Sequence, residues 1–430
     1  MEKVISFVAT GDSFITSKLS LNGNEQFDII RELINKSEVR FTNLEVTVHN
    51  HEGYPSAFSG GTWAIAPPKI LKDIEYFGFN IVNIANNHTL DYSHNGLEAT
   101  ENYLKEYDFI YAGAGNNMAS ASDPKYLNCT SGRIGFIAAT STFHESWIAG
   151  EQRRDMMGRP GINPLRHEAL HVVSKEKMQQ LKKIAQTVDI NAMNNLNFKE
   201  GFEVEGEGFT FGKYKFIEGD EEGLITKPDK KDMKRILKAI HDAKRQSDEV
   251  VISIHSHEMK GEDKSVPADF LREFARACID QGAGAVIGHG PHILRGIEIY
   301  KNRPIFYSLG NFIFQNDLVS NLPSDFYEKY NLDEKSNVAD AIDARSKNNT
   351  VGLGANPKVW ESVIANWSIE DGKLKEIYLH PISLGYKEER YRRGLPKLDN
   401  NIEVIHKLSE LSKPFGTAIE LEGNIGVIRV

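Results

Sequence analysis

Short apolar runs recurring between stretches of helical periodicity constrain this chain most. A run of five or six such residues predicts a strand buried on both faces, and strands of that kind need helices to cover them. The first run, residues 4–9, stops at Gly11-Asp12. Apolar residues at helical spacing, Phe27, Ile30, Leu33 and Ile34, precede a second predicted strand over 40–45. Pro67-Pro68 then opens a helix carrying Ile70, Leu71, Ile74 and Phe77, Gly78 stops it, and residues 80–85 form the third predicted strand. A helix over 96–107 and a strand at 133–138 follow. The alternation returns with helices over 230–245 and 267–281 and strands at 250–254, 284–287, 296–300 and 305–309. Strand and helix in this rhythm predict an α/β architecture.

The rhythm breaks between about 144 and 246, where 165–187 has helical spacing and 199–223 alternates at Phe209, Phe211, Tyr214 and Phe216. We expect an inserted segment there, near the site. Residues 317–358 are polar and predict a long lid-like loop with short helices, and strand patterns return at 363–367 and 374–379. The expected organisation is one domain over 1–315 with that insertion, completed by the lid and C-terminal strands of 316–430.

With 51 Lys+Arg against 60 Asp+Glu, the net charge of −9 argues against a nucleic-acid partner. No apolar run approaches the roughly 20 residues of a spanning helix, so no membrane partner is expected. The first residues run straight into Gly11-Asp12 without a signal-peptide pattern, and Cys129 and Cys278 are too few for a disulfide framework. A cytoplasmic location is expected, with the cysteines as buried structural thiols.

Ligands of open α/β sheets bind outside the carboxyl ends of strands. Here five predicted strands finish in side chains able to ligate a metal: Asp12, Glu45, Asn87-His88, His255 with His257, and His289 with His292. Asp12 is equally a turn or cap residue and 86–91 an Asn-rich turn, but Glu45 on an apolar strand needs a partner. One of His255 and His257 is expected to ligate and the other to be a core histidine. The glycines and proline of Gly288-His289-Gly290-Pro291-His292 force a tight turn that presents both imidazoles. Mixed carboxylate, amide and imidazole donors suit one or two divalent ions, Mn, Fe or Zn. His257, Arg295 and Asn311 are expected at the substrate, with surface salt-bridging the alternative for Arg295 and its neighbour Arg303. Asp91 is expected to orient His88. No activated Ser or Cys, dinucleotide or P-loop pattern is present.

Thr10-Gly11-Asp12, Asn43-Leu44-Glu45, Asn86-Asn87-His88-Thr89-Leu90-Asp91, the His255 strand end, the Gly288–His292 turn and the block from Ile305 to Phe312 together resemble the CapA, or poly-γ-glutamate capsule synthesis, family. The resemblance covers about residues 3–315 and is weaker over 150–245. That family is similar in turn to the calcineurin-like metallophosphoesterases, which implies a two-sheet (αββα) sandwich with a two-metal site. Carried over, it implies Asp12, Glu45, Asn87, His255, His289 and His292 as ligands and His88 as the group acting on the leaving group. Two departures stand out: Phe14 replaces a ligating histidine two residues after Asp12, and the closing histidines are three residues apart instead of two. The function implied is a metal-dependent hydrolase, metal-activated water attacking a phosphoester or amide bond of a small anionic or γ-glutamyl substrate. The alternatives are a poly-γ-glutamate biosynthetic or amide-ligase role, which needs a nucleotide site, and a non-catalytic binding or scaffold protein. The sequence does not specify the oligomeric state.

Overall fold

The computed structural model describes residues 3–21, 23–204 and 206–430. The first apolar run becomes the strand Val4–Phe14, and its alternation sets the layering: Phe7 and Ala9 point into one core, Val8 into another. On one side this strand continues in parallel to Val39–Leu44, Ile81–Asn83 and Ile110–Ala112. On the other it pairs antiparallel with Glu361–Glu370, followed by Lys373–Ser383, Ile425–Arg429 and Glu420–Glu422. All belong to a ten-stranded sheet, so strands from both ends of the chain share one sheet.

A second, six-stranded sheet runs in the order Leu294–Tyr300, Arg303–Leu309, Ala285–His289, Glu249–His255, Gly132–Thr140, Lys125–Cys129. Its four inner strands are parallel. The sheets meet through Phe41 on Phe136, ring centroids 5.6 Å apart, and Trp367 on Phe306 at 5.2 Å. Outside the first sheet, Val8, Leu44 and Val82 pack on Phe27, Ile74 and Leu97 of the helices Glu25–Ile34, Leu71–Phe77 and Ser93–Glu106. Outside the second, Ile137, Ile252 and Val286 pack on Ile240 and Phe274 of the helices Lys230–Lys244 and Asp269–Asp280. Each large apolar side chain so buried contributes about 2 kcal/mol, which is why runs apolar on both faces persist here.

Residues 165–187 are not one helix. His167–Val173 is a strand with Leu170 and Val172 buried, and Ser174 then caps the helix Lys175–Thr187 by accepting from the Lys177 amide. That strand joins Phe209–Phe211, Tyr214–Glu218 and Gly223–Pro228 in a separate four-stranded sheet. The helix Lys230–Lys244, inside the segment expected to be inserted, packs on the six-stranded sheet instead. Between 316 and 360 lie the short helices Ser324–Lys329 and Val338–Ser346; Phe326 and Ala341 pack with Trp63 and Tyr92. Cys278 is buried, whereas Cys129, expected to be so, is half-buried. Among the described residues no helix is long and apolar enough to cross a membrane.

Candidate metal centre

Register brings the site together. Asp12 lies opposite Asn43 and Asn43 opposite Asn83 in the first sheet, while His255 lies opposite His289 in the second. The strands end in line, so polar residues following apolar runs collect at one edge. Close approach there requires glycine: a Cβ on Gly11 would lie 1.8 Å from the Gly310 carbonyl oxygen, and the Asp12 amide donates to that same oxygen at 3.0 Å.

The asparagines form a chain of donors. Asn83 Nδ2 donates to Asn43 Oδ1 at 2.7 Å, and Asn43 Nδ2 donates to Asp12 Oδ1 at 2.7 Å. The Gly290 amide donates to Asp12 Oδ2 at 3.0 Å. Burial lifts the Asp12 carboxyl to about 7 despite these bonds.

Glu45 is different. It is fully buried, and neither carboxylate oxygen has a hydrogen-bond partner. Around its Oε1 stand His255 Nε2 at 3.7 Å, His292 Nε2 at 3.8 Å and His88 Nε2 at 4.0 Å. Burial, then the like charges of Asp12 and Asp91, push the Glu45 carboxyl well above its ordinary range. Asn87 Oδ1 is a second buried acceptor without a partner, while Asn87 Nδ2 donates to the Gly60 carbonyl at 2.9 Å. An unpartnered buried carboxylate facing imidazole nitrogens is a donor set that a divalent ion fits. Among the described residues, three groups of side chains come close enough to hold one: Asp12 with His255 and His289, Glu45 with His255 and His257, and Asp12 with Glu45 and His292.

Each histidine has a distinct support. His88 Nδ1 donates to Asp91 Oδ2 at 2.6 Å, which leaves Nε2 facing Glu45. Asp91 also accepts the Gly60 amide at 2.9 Å and the Ala64 amide at 2.7 Å, so one carboxylate fixes both the imidazole and the 60–64 loop. His292 Nδ1 donates to Asn311 Oδ1 at 2.9 Å, and its backbone φ of 61° places it in the left-handed region. Burial holds His292 down to about 4 and His289 to about 3, and keeps His255 and His257 well below the ordinary range. All four are neutral near pH 7, the form that binds a metal.

Two expectations change. The Arg295 guanidinium is spent on backbone: it is wholly buried and donates to the carbonyls of Lys264 (2.8 Å), Ser256 (3.3 Å), His257 (3.2 Å) and Glu258 (2.9 Å). Arg303 forms the alternative salt bridge, to Glu249 at 3.4 Å. Asn311, also buried, holds His292 and donates to the Val359 carbonyl at 2.9 Å instead of lining a pocket. Phe14, in the place of a ligand, packs edge-on against His88 with centroids 5.1 Å apart.

Above the centre opens a cleft of ≈ 520 Å³ with Asn87 and His257 among its lining residues. Its walls include Phe58, Trp63, Trp147 and Phe326, with Lys329 beside them. Sequence reasoning missed these walls, which come from distant loops, and it missed Glu258, which accepts from Ser141 (2.6 Å), Ser256 (2.9 Å) and Thr142 (3.1 Å). The only available signal was Glu258 standing three residues after His255.

Comparison with known proteins adds the following. Residues 6–316 match the model of a family described as bacterial capsule synthesis protein PGA_cap. Two uncharacterized proteins of Sinorhizobium fredii strain NGR234, y4sH and y4uA, are each 34% identical over 438 residues, covering 99% of this chain and 93% of the relative. The capsule biosynthesis protein CapA of Bacillus anthracis is 26% identical over 321 residues, 72% of this chain and 61% of its own. The PGA biosynthesis protein CapA of Bacillus subtilis strain 168 is 27% identical over 247 residues, 57% of this chain and 44% of its own. Among solved structures, a hypothetical protein from Thermus thermophilus aligns over 88% of this chain and 98% of its own at 9% identity, with a TM-score of 0.39.

Proposed function

We propose, for a chain that belongs to the bacterial capsule synthesis protein family PGA_cap, that it is a metal-dependent hydrolase of a phosphoester or amide bond in an anionic substrate. γ-Glutamyl amides are the first amide class to examine, since one relative is named for PGA biosynthesis. The observation that carries this reading is Glu45, a buried carboxylate without a hydrogen-bond partner facing the Nε2 atoms of three histidines. Helices outside two sheets that share a core support an αββα sandwich of the metallophosphoesterase type.

Asp12, Glu45, Asn87, His255 and His292 would hold one or two divalent ions, which lower the pKa of a bound water and polarise the group under attack. His88, oriented by Asp91, presents Nε2 toward the leaving group and carries its proton. The aromatic walls of the cleft exclude water, and Lys329 supplies positive charge for an anion. Lys264 and Arg345 line a neighbouring cleft of ≈ 370 Å³ and add to the positive field at His292. A reducing compartment, the cytoplasm, suits the free thiols of Cys129 and Cys278.

Phe14 is what favours a scaffold reading, because it removes a donor; the orphaned acceptors of Glu45 and Asn87 weigh against it. The test is to reconstitute the full chain with Mn(II) or Zn(II) and assay p-nitrophenyl phosphate, bis(p-nitrophenyl) phosphate and γ-glutamyl-p-nitroanilide. Ion-dependent turnover that falls about 10²–10⁴-fold in His88→Gln, with the ion retained, is expected. Bound ion without turnover on related esters and amides would favour the scaffold.

A further inference from the structure

We infer that His257 is a metal ligand of this centre and that His289 is not: His289 stands behind His255 and orients it. This departs from the sequence reading, which put His257 at the substrate and His289 among the ligands, and it rests on the metal-site reading above.

His255 has two faces. Its Nε2 points to Glu45 Oε1 at 3.7 Å and to His257 Nε2 at 3.0 Å. Its Nδ1 lies 3.0 Å from His289 Nδ1, and His289 Nε2 lies 2.7 Å from Ser253 Oγ. A proton on His255 Nδ1 donated to His289 Nδ1, with the His289 Nε2–H donated to Ser253, pairs the ring nitrogens on the inner side; Asn43 Nδ2, 3.4 Å from His255 Nδ1, makes its shorter bond to Asp12 Oδ1 at 2.7 Å. This pairing leaves the His255 Nε2 lone pair facing outward. A ligating histidine ordinarily has its other nitrogen hydrogen-bonded in this manner, fixing tautomer and ring orientation.

The acceptors without partners are on the outer side too. Asp12 Oδ1, which stands 3.6 Å from His289 Nδ1, already accepts from Asn43. Both Glu45 oxygens and Asn87 Oδ1 accept nothing. A cation placed among Glu45 and the Nε2 atoms of His255 and His257, side chains close enough to share one ion, gives the Glu45 oxygens the partner they lack.

The protein also builds a seat for His257. Its amide donates to Thr142 Oγ1 at 2.9 Å, and its carbonyl accepts from the buried Arg295 at 3.2 Å. A Cβ on Gly290 would lie 2.9 Å from His257 Cδ2 and 3.2 Å from His255 Nε2, so glycine at that position keeps room for both rings. With His257 supplying a nitrogen, the donor lost at Phe14 is made up from a different strand end.

The test uses the full chain loaded with Co(II), read by elemental analysis and by the visible ligand-field spectrum, alongside His257→Gln and His289→Gln. His257→Gln should lose about one equivalent, or at least 100-fold in Co(II) affinity, with a changed spectrum. His289→Gln should keep the stoichiometry and lose about 10–100-fold in affinity, as for an orienting partner. Circular dichroism verifies folding; His257→Asp, which keeps a ligating side chain, should restore the ion. Unchanged Co(II) binding in His257→Gln, or loss of the ion only in His289→Gln, overturns the assignment and leaves the hydrolase reading standing. A wild-type chain that binds no Co(II) overturns both.

Discussion

At the scale of single residues, the centre is built from groups that are unfavourable without a cation. Glu45 loses its hydration on burial and recovers no hydrogen bond, so the metal-free chain carries its cost. Glu45→Gln should therefore raise the melting temperature of the metal-free protein while abolishing the rise that added Mn(II) gives wild type. Calorimetry with and without the ion checks both halves. Asp91 acts through His88 and through the Gly60 and Ala64 amides together. Asp91→Asn should lower kcat about 10²-fold or more while ion content stays at the wild-type level. The ligand types were legible at this scale because carboxylates and imidazoles at the ends of apolar runs have few structural reasons to be there. Which face each ring turns inward was not legible. His255, His257 and His289 read alike in sequence, and only the depth of Ser253 and the open side at Glu45 tell them apart.

At the scale of elements, the parallel strands were the most readable part, since burial on both faces leaves a nearly continuous apolar run such as 250–254, interrupted only by Ser253. His167–Val173 was not readable as a strand: it exposes one side, its period-two pattern spans seven residues, and it runs into the helix that Ser174 caps. Arg295 was misread because nothing in its neighbourhood announces that a charged side chain will be wholly buried and used up on backbone carbonyls. The strand ends also depend on backbones in contact. Gly11→Ala must displace the Gly310 carbonyl and should destabilise the chain by more than about 3 kcal/mol, read from urea unfolding. Little destabilisation would mean that Val4–Phe14 and the 310 turn are less tightly joined than described.

At the scale of the whole molecule, the sheets give stability while their shared edge gives chemistry, and pH acts on the two differently. Burial holds His380, on the strand Lys373–Ser383 and away from the centre, down to about 4. Between about 6.5 and 4 the unfolded chain binds a proton there that the folded chain does not, so this contribution is present above 6.5 and is lost as pH falls. Wild type should lose stability relative to His380→Gln over that interval, and a constant difference would contradict it. The central claim is that Asp12 and Glu45 anchor a divalent-ion centre at the edge where the sheets meet. Its most direct test is elemental analysis of the full chain after Mn(II) or Zn(II) reconstitution, beside an Asp12→Ala, Glu45→Ala double variant. One to two equivalents in wild type and none in the folded variant is the predicted result; no ion in wild type, or equal ion in both, would contradict it.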